Sequence, residues 1–504
     1  MHRRTFLGAI GGAIAGGLSI PANAQTPAVL RVAAPFNPSS LDPTTGGAGP
    51  DHVFLYPIFD TLIEADFATL EARPGLARAW SYPNPTTLVL DLQQGVTFHD
   101  GTPFDAEAVK FNLERNRQDQ RSNVKADLTA LESIEVTGKD QVTIRLNRPD
   151  TALPLIFADR SGMMSSPKAV QELGPGHNRR PVGTGRWKFV SWTDNDKIVV
   201  VRNDKYWRPN QPSLDGIEFS IIADTATGLR SVTAGQNDFA YGLPPQLKRV
   251  ADRASSLSIA TGPSLQCVCI WTHWSKPPLN DVRVRRALSL AIDRESFVKA
   301  TMEGGEVAKV IIPQSHWAFD KALLNYNGYD PERAKKLLEE AGFGNGIDLN
   351  LLGYADQTAT QRQEVLMEQL RKVGIRVKFL NSPMAEAAGA FFGPEKRAHG
   401  FFSDLSGRPD PSQLFSLVYD KSSYFYTGPR EGIPELQAAL QETRAGQDIE
   451  ARKASFVKLE ALAMDLNAIV PMCFQPVLDV MNRKVKGYRP TLIAKPRFDT
   501  VYFG

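Results

Sequence analysis

The 504-residue sequence predicts an α/β protein built from more than one lobe, on three observations. The chain is too long for a single hydrophobic core and must divide into two or three units. From Asp330 onward, helix-type and strand-type segments alternate, as they do in α/β units. Past mid-chain, Cys267 to Asp293 joins a strand, a proline corner and an amphipathic helix, which is how a chain leaves one lobe and begins another.

The first 24 residues read as an address. Met1 to Ala24 has a basic start, an apolar run from Phe6 to Ile20 and the small-residue ending Ala22-Asn23-Ala24, the layout of a cleaved export signal. His2-Arg3-Arg4-Thr5-Phe6-Leu7 is similar to a twin-arginine signal; a Sec signal carrying two arginines is the alternative. Either one places the mature chain outside the cytoplasm, in a bacterial periplasm.

Val29 to Ala33 alternates as a strand and runs into the turn-forming stretch Phe36 to Pro43. Phe54 to Ile63 is a compact apolar segment, and Leu76 to Trp80 leads to a turn at Tyr82 to Pro85. Thr87 to Leu92 is a strand. After the Asp100-Gly101 turn, Asp105 caps a helix bearing Val109, Asn112 and Leu113. Val142 to Leu146 is a strand broken before Pro149, and the Gly/Pro/Arg-rich Gly174 to Pro181 marks a boundary. Ile198 to Arg202 and Ile217 to Ile222 are further strands.

Cys267 to Trp271 is β-type, and Pro277-Pro278 ends it because proline cannot donate to a ladder. Asn280 or Asp281 then caps a helix to about Ala291, with Val284, Ala287, Leu288, Ala291 and Ile292 on one apolar stripe. Arg283, Arg285 and Arg286 fall between the stripe positions and are expected to face water or partners. Pro331 opens a helix that Gly342 ends; another, carrying Leu366, Leu370 and Val373, stops at Gly374 before the strand Ile375 to Phe379. Phe456 to Leu466 lies on a late helix, followed by the strand-like Val470 to Val480.

Composition excludes several classes. Without the first 24 residues, 56 basic side chains face 55 acidic ones, so no nucleic acid is expected as a partner, since such binders need a basic face. No later stretch reaches the roughly 18 apolar residues of a membrane span. The seven histidines, His52, His99, His177, His273, His316 and His399 beside His2, show no H-E-x-x-H spacing. No G-x-S-x-G elbow occurs, and Gly342 to Gly346 lacks the context of a dinucleotide loop. No cofactor, metal or catalysis is therefore expected. Cys267 and Cys269 lie two apart on one strand and make a poor disulfide pair. They read, with Cys473, as small buried side chains; a Cys269–Cys473 bridge and a soft-metal site are the alternatives.

An ordered set of short motifs then accumulates. Leu41-Asp42-Pro43, Pro74 to Ala77, Phe98 to Gly101, Pro181 to Gly185, Arg202 to Trp207, Asp281 to Asp293, Ala334 to Gly342 and Asp410-Pro411 follow one another. Together they resemble the extracytoplasmic solute-binding proteins, family 5 (peptide/nickel/opine type), of ABC importers, over the whole mature chain. The resemblance implies a bilobed periplasmic-binding-protein-like fold (type II, cluster C) with an extra subdomain inserted in lobe one. Mapped onto this sequence, lobe I is 25–55, 181–268 and 477–504, the insert is 56–180, and lobe II is 269–476. The crossings fall around Val268–Trp271 and Phe474–Pro476. The implied partners are a small-molecule solute and the permease subunits of an ABC importer, with the chain a monomer.

Peptide-binding relatives hold the peptide amine with an aspartate three residues before an acid-Pro pair. Here that pair is Asp410-Pro411 and the position is Gly407, a departure from the peptide pattern. Arg408 beside it suits a carboxylate or phosphate, and a solvated loop arginine is the plain alternative. Asp404 serves as the amine partner if an insertion re-registers the loop. Trp271, His273 and Trp274 form an aromatic wall for an organic solute or pack under the hinge; alternation puts Trp271 and His273 on one face and Trp274 on the other. His273 stands where the family commonly has asparagine. Phe36, Asn37 and Tyr354 complete the candidates. The expected ligand is a small organic solute with an anionic group, peptide-like or opine-like. An exported hydrolase on a two-lobed scaffold, or a binding protein serving a sensor or chaperone role, is the rival reading.

Overall fold

Two large sheets, a four-stranded one and two two-stranded ribbons carry the chain in the computed structural model, which describes residues 27–46, 49–66, 68–326, 328–446 and 448–504. The export signal expected at 1–24 lies outside the described residues. A seven-stranded sheet runs in the order Leu257–Gly262, Val477–Asn482, Phe239–Ala240, Val29–Ala34, Gly216–Ile221, Lys197–Arg202, Trp187–Thr193. A six-stranded sheet runs Glu306–Val307, Ile469–Phe474, Cys267–Thr272, Gly400–Leu405, Ile347–Tyr354, Ile375–Ser382. The third sheet is four-stranded and antiparallel: Ala77–Asn84, Thr87–Leu92, Gln141–Leu146, Leu131–Gly138.

Each sheet has its own core. Phe54, Trp187, Phe219 and Phe239 fill the seven-stranded one, and Leu88, Leu90, Val109 and Ile144 the four-stranded one. The six-stranded sheet is covered on both faces, with Cys267, Cys269 and Trp271 on one side and Val268, Ile270 and Leu288 on the other, the period-two alternation of a buried strand.

The chain passes between the two large sheets at 263–266 and returns at Gln475–Pro476. The first passage therefore precedes the position expected around Val268–Trp271. Cys267–Thr272 lies wholly inside the six-stranded sheet, paired on both edges with all six residues buried. The run Val470 to Val480 is likewise two strands, Ile469–Phe474 and Val477–Asn482, divided where Pro476 has no N–H to offer a ladder. Ala77–Asn84 runs through the expected turn at Tyr82, and the chain turns at Asn84, whose Oδ1 accepts from Thr86 N at 3.1 Å.

Helix ends follow local chemistry. Asp105, Asp281 and Asp330 accept from the backbone N–H groups of Ala108, Arg283 and Arg333. Gly342 and Gly374 sit at φ 88° and 87° where their helices end. Arg285 corrects its expectation: it is 3% exposed and donates to the carbonyls of Leu279, Asn280 and Leu466. Its guanidinium satisfies backbone acceptors at the end of Ile449–Leu466 instead of facing water.

All three cysteines are buried free thiols. Cys473 lies opposite Val268 and packs with it on the face away from Cys267 and Cys269, so the Cys269–Cys473 bridge is not made. No helix among the described residues is long and apolar enough to cross a membrane.

Candidate functional site

Segments from all three sheet regions bring ionisable side chains together in the interior. Asp51 and His52 sit at the start of the helix His52–Ile58. Asp159 and Arg160 form the turn after Leu153–Ile156, Arg408 lies in the loop between Gly400–Leu405 and Pro411–Tyr419, and Lys495 belongs to the C-terminal loop 491–499. All but Arg408 are buried, and the Arg408 side chain is 22% exposed.

The contacts tie the segments to one another. Ser39 donates to Asp51 through N (2.8 Å) and Oγ (2.6 Å). His52 Nε2 lies 2.5 Å from Asp159 Oδ1, and its Nδ1 is 2.8 Å from Gly49 O. Arg160 donates to Gly46 O and places Nη2 3.6 Å from Asp51 Oδ2. Arg408 Nη1 approaches Asp159 Oδ2 at 3.9 Å. Burial opposes ionisation of Asp159, yet its contact with His52 and the charges of Lys495 and Arg408 hold it well below the usual carboxylate range. Three cations, Arg160, Arg408 and Lys495, thus face two carboxylates, Asp51 and Asp159.

A second set of polar groups bridges the passages between the large sheets. Gln266 Nε2 donates to Asp404 Oδ2 at 3.3 Å and Arg362 Nη2 to Gln475 Oε1 at 3.2 Å. Burial raises the Asp404 pKa, with Arg362 pulling the other way. Asp404 is held by the hinge segments, while Arg408 stands in the charged cluster. A cleft of about 520 Å³, lined by Lys248, Ser264, Glu303, Glu306, Gln475 and Leu478, borders these passages without any side chain of the charged cluster.

Gly407 explains the departure from the peptide pattern. A Cβ there would sit 2.1 Å from Leu265 Cβ, so an aspartate does not fit at this position. The aromatic wall is corrected. Trp271 is 4% exposed and packs edge-on to Phe392 at 5.0 Å, and Trp274 meets Tyr426 at 5.5 Å. His273 is fully buried over Phe391 at 4.2 Å, its Nε2 3.1 Å from Phe391 O. Trp271 and Trp274 share one core, against the opposite faces expected of them, because the strand ends at Thr272 before Trp274. These rings seal the six-stranded sheet and offer no surface to a solute.

Asn37 is engaged elsewhere: its Oδ1 accepts from Trp192 Nε1 at 3.2 Å and Asn195 N at 3.1 Å. Phe36 is half-buried just beyond its strand. Tyr354 closes its strand edge-on to Phe401 at 5.5 Å, near Asp404. Of the expected residues, only Arg408 joins the charged cluster. Sequence reasoning missed Asp51, His52, Asp159, Arg160 and Lys495, although Asp51-His52 and Asp159-Arg160 each abut an apolar run, Val53 to Ile58 and Leu153 to Ala158. Charged pairs beside apolar runs signal burial. Among the described residues, no three His, Cys, Asp or Glu side chains gather as metal ligands.

The four-stranded sheet's connections also touch the six-stranded side. Arg444 forms a buried, two-pronged ion pair with Asp150, its Nε at 3.1 Å, and donates to Asp127 O at 2.9 Å. Gln413 Nε2 reaches Asp127 Oδ2 at 3.0 Å.

Comparison with known proteins adds independent findings. The family model described as bacterial extracellular solute-binding proteins, family 5 Middle, matches residues 71–421. The glutathione-binding protein GsiB of Pectobacterium atrosepticum is 30% identical over 296 residues, 58% of this chain and 57% of that protein. GsiB of Escherichia coli strain K12 is 29% identical over 320 residues, 62% of each; the matched stretch thus spans less than two thirds of these relatives. A dipeptide-binding protein from Pseudoalteromonas sp. SM9913, solved with Met-Leu, superposes with a TM-score of 0.85 at 21% identity, covering 94% of this chain and 100% of that one. AgaA from A. tumefaciens R10, solved with agropinic acid, gives 0.85 at 20% identity over 94% and 99%. At these identities the structures establish the fold, that of the type II periplasmic binding proteins.

Proposed function

The chain belongs to the bacterial extracellular solute-binding proteins of family 5, and from that premise we propose that it captures a small anion-bearing organic solute between two closing lobes. In this reading the seven-stranded sheet forms lobe I, the four-stranded region is its insert, the six-stranded sheet forms lobe II, and the two passages at 263–266 and Gln475–Pro476 are the hinge. A solute touched from both lobes favours the closed form, because only that form offers both sets of contacts. The closed form then delivers the solute to the membrane subunits of an ABC importer. The chain acts as a monomer outside the cytoplasm, reached through a twin-arginine signal at 1–24, and makes or breaks no bond.

One observation carries the reading: the buried cluster is assembled across the two passages, with Arg408 on one side and Asp51, His52 and Lys495 on the other, and it holds more positive than negative groups. The named ligands of the relatives, glutathione, Met-Leu and agropinic acid, all bear carboxylates. A peptide amine anchor at Gly407 is disfavoured by Leu265. Micromolar capture corresponds to about −8 kcal/mol. Native mass spectrometry of protein recovered from the exporting cell tests the reading: one unmodified anionic solute per chain is expected, and steady turnover of a bound compound would contradict it.

A further inference from the structure

Lys495 is a buried residue whose ammonium has no acceptor among the described residues. It is 7% exposed, and its loop is fixed by Thr491, whose Oγ1 accepts from Lys495 N at 3.1 Å and donates to Lys495 O at 2.9 Å. Among the described residues its Nζ makes no hydrogen bond and no ion pair. The charged groups that face it are Asp159, Arg408, Arg160 and Asp51, with the His52 ring alongside. Lysine is almost never buried in this way unless something pairs with it.

We propose that Lys495 is the anion anchor on the lobe I side of the interlobe site, where a solute carboxylate bridges its ammonium to the Arg408 guanidinium of lobe II. The proposal rests on the solute-binding reading and adds to it the residue that meets the carboxylate. Lys495 and Arg408 repel one another, and a carboxylate that bridges them turns that repulsion into two attractions.

A proton is linked to this step. Burial, with the push of Arg408 and Arg160 and against the pull of Asp159 and Asp51, brings the Lys495 ammonium down to about 7. Near neutrality the empty site is thus partly deprotonated, and a carboxylate beside Nζ restores the charged form. Binding takes up a proton from solvent at Nζ, so affinity declines as pH rises above 7 toward the bound-state value. Burial pushes His52 down to about 3, and Asp159 lies well below the usual carboxylate range, so neither titrates in that window.

The test uses the whole mature chain with side-chain-labelled lysine, reduced glutathione as the carboxylate probe, and small-angle scattering on the same samples. Expected are one lysine signal titrating near 7, absent in Lys495→Arg, and its upward shift on adding glutathione. Lys495→Met is expected to weaken glutathione on the order of tenfold, whereas Lys495→Arg, which cannot lose its charge, binds with no pH dependence between about 6.5 and 8.5. A Lys495 that titrates with the ordinary lysines, or a pH dependence that survives in Lys495→Arg, overturns the anchor. Glutathione that compacts Lys495→Met with wild-type affinity removes the anchor and leaves solute capture standing. A shifted Lys495 signal without compaction keeps the anchor and contradicts capture.

Discussion

The aromatic core of the six-stranded sheet and the charged cluster around Lys495 are both largely buried, yet they are filled by opposite chemistry. Around Trp271, His273 and Trp274, rings meet rings at 4.2–5.5 Å and close the space. Around Lys495 and Arg408, basic and acidic side chains from distant segments are gathered, and the Lys495 ammonium has no hydrogen-bond acceptor among the described residues. Burial therefore does not distinguish a site from a core. The proposed site is set apart by charged groups drawn from distant segments of the chain. Glu460 sharpens the contrast: it is fully buried, with the backbone of Ile311 and Ile312 and the Tyr419 ring near its carboxyl, and burial pushes it up to about 8. It sits sealed among core helices and simply stays protonated at neutral pH.

Four substitutions separate these regions. Trp271→Ala carries the largest stability effect, about 3–5 kcal/mol for a large buried ring, read by urea unfolding; a loss under 1 kcal/mol would return Trp271 to the cleft wall. Asp150→Ala leaves Arg444 buried without this carboxylate and is expected to weaken the contact between the four-stranded region and the helix Pro434–Ala445 by about 3 kcal/mol. That loss should appear in scattering as a shift toward the open form and as weaker solute binding, since closure becomes harder; unaltered scattering would detach this ion pair from closure.

Glu460→Gln comes next. A folded-state value near 8, above the 4.5 of the free side chain, means that the stability of the protonated form is full below about 4.5 and is lost as pH rises through 8. The wild type should therefore lose about 1.4 kcal/mol more than Glu460→Gln between pH 7 and pH 9, measured by unfolding at each pH. Parallel profiles would show that the carboxyl finds a partner. Arg408→Ala should have the smallest effect on stability, within about 0.5 kcal/mol, while costing on the order of tenfold in affinity for the copurified solute. Equal binding by isothermal titration would end the role of Arg408.

Much of the fold was legible because local chemistry and tertiary pairing agree. Thr87 to Leu92 is a strand as read, the caps at Asp105 and Asp281 start their helices, and Pro331 opens its own behind the cap Asp330. The passage between sheets was displaced because Cys267–Thr272 is β-type at every residue, and nothing local reveals that both its edges are paired. The site was far less legible. Arg408 stood out beside an acid-Pro pair, but Lys495 is one lysine in a C-terminal loop, and its missing acceptor is a property of three distant segments. Trp271, His273 and Trp274 misled because aromatic chemistry suits a core as well as a cleft.

Small-angle scattering of the mature chain, with and without a saturating, stoichiometrically bound solute, tests the central claim most directly. The radius of gyration should fall on binding as the two lobes close. An unchanged radius with the solute demonstrably bound would contradict it.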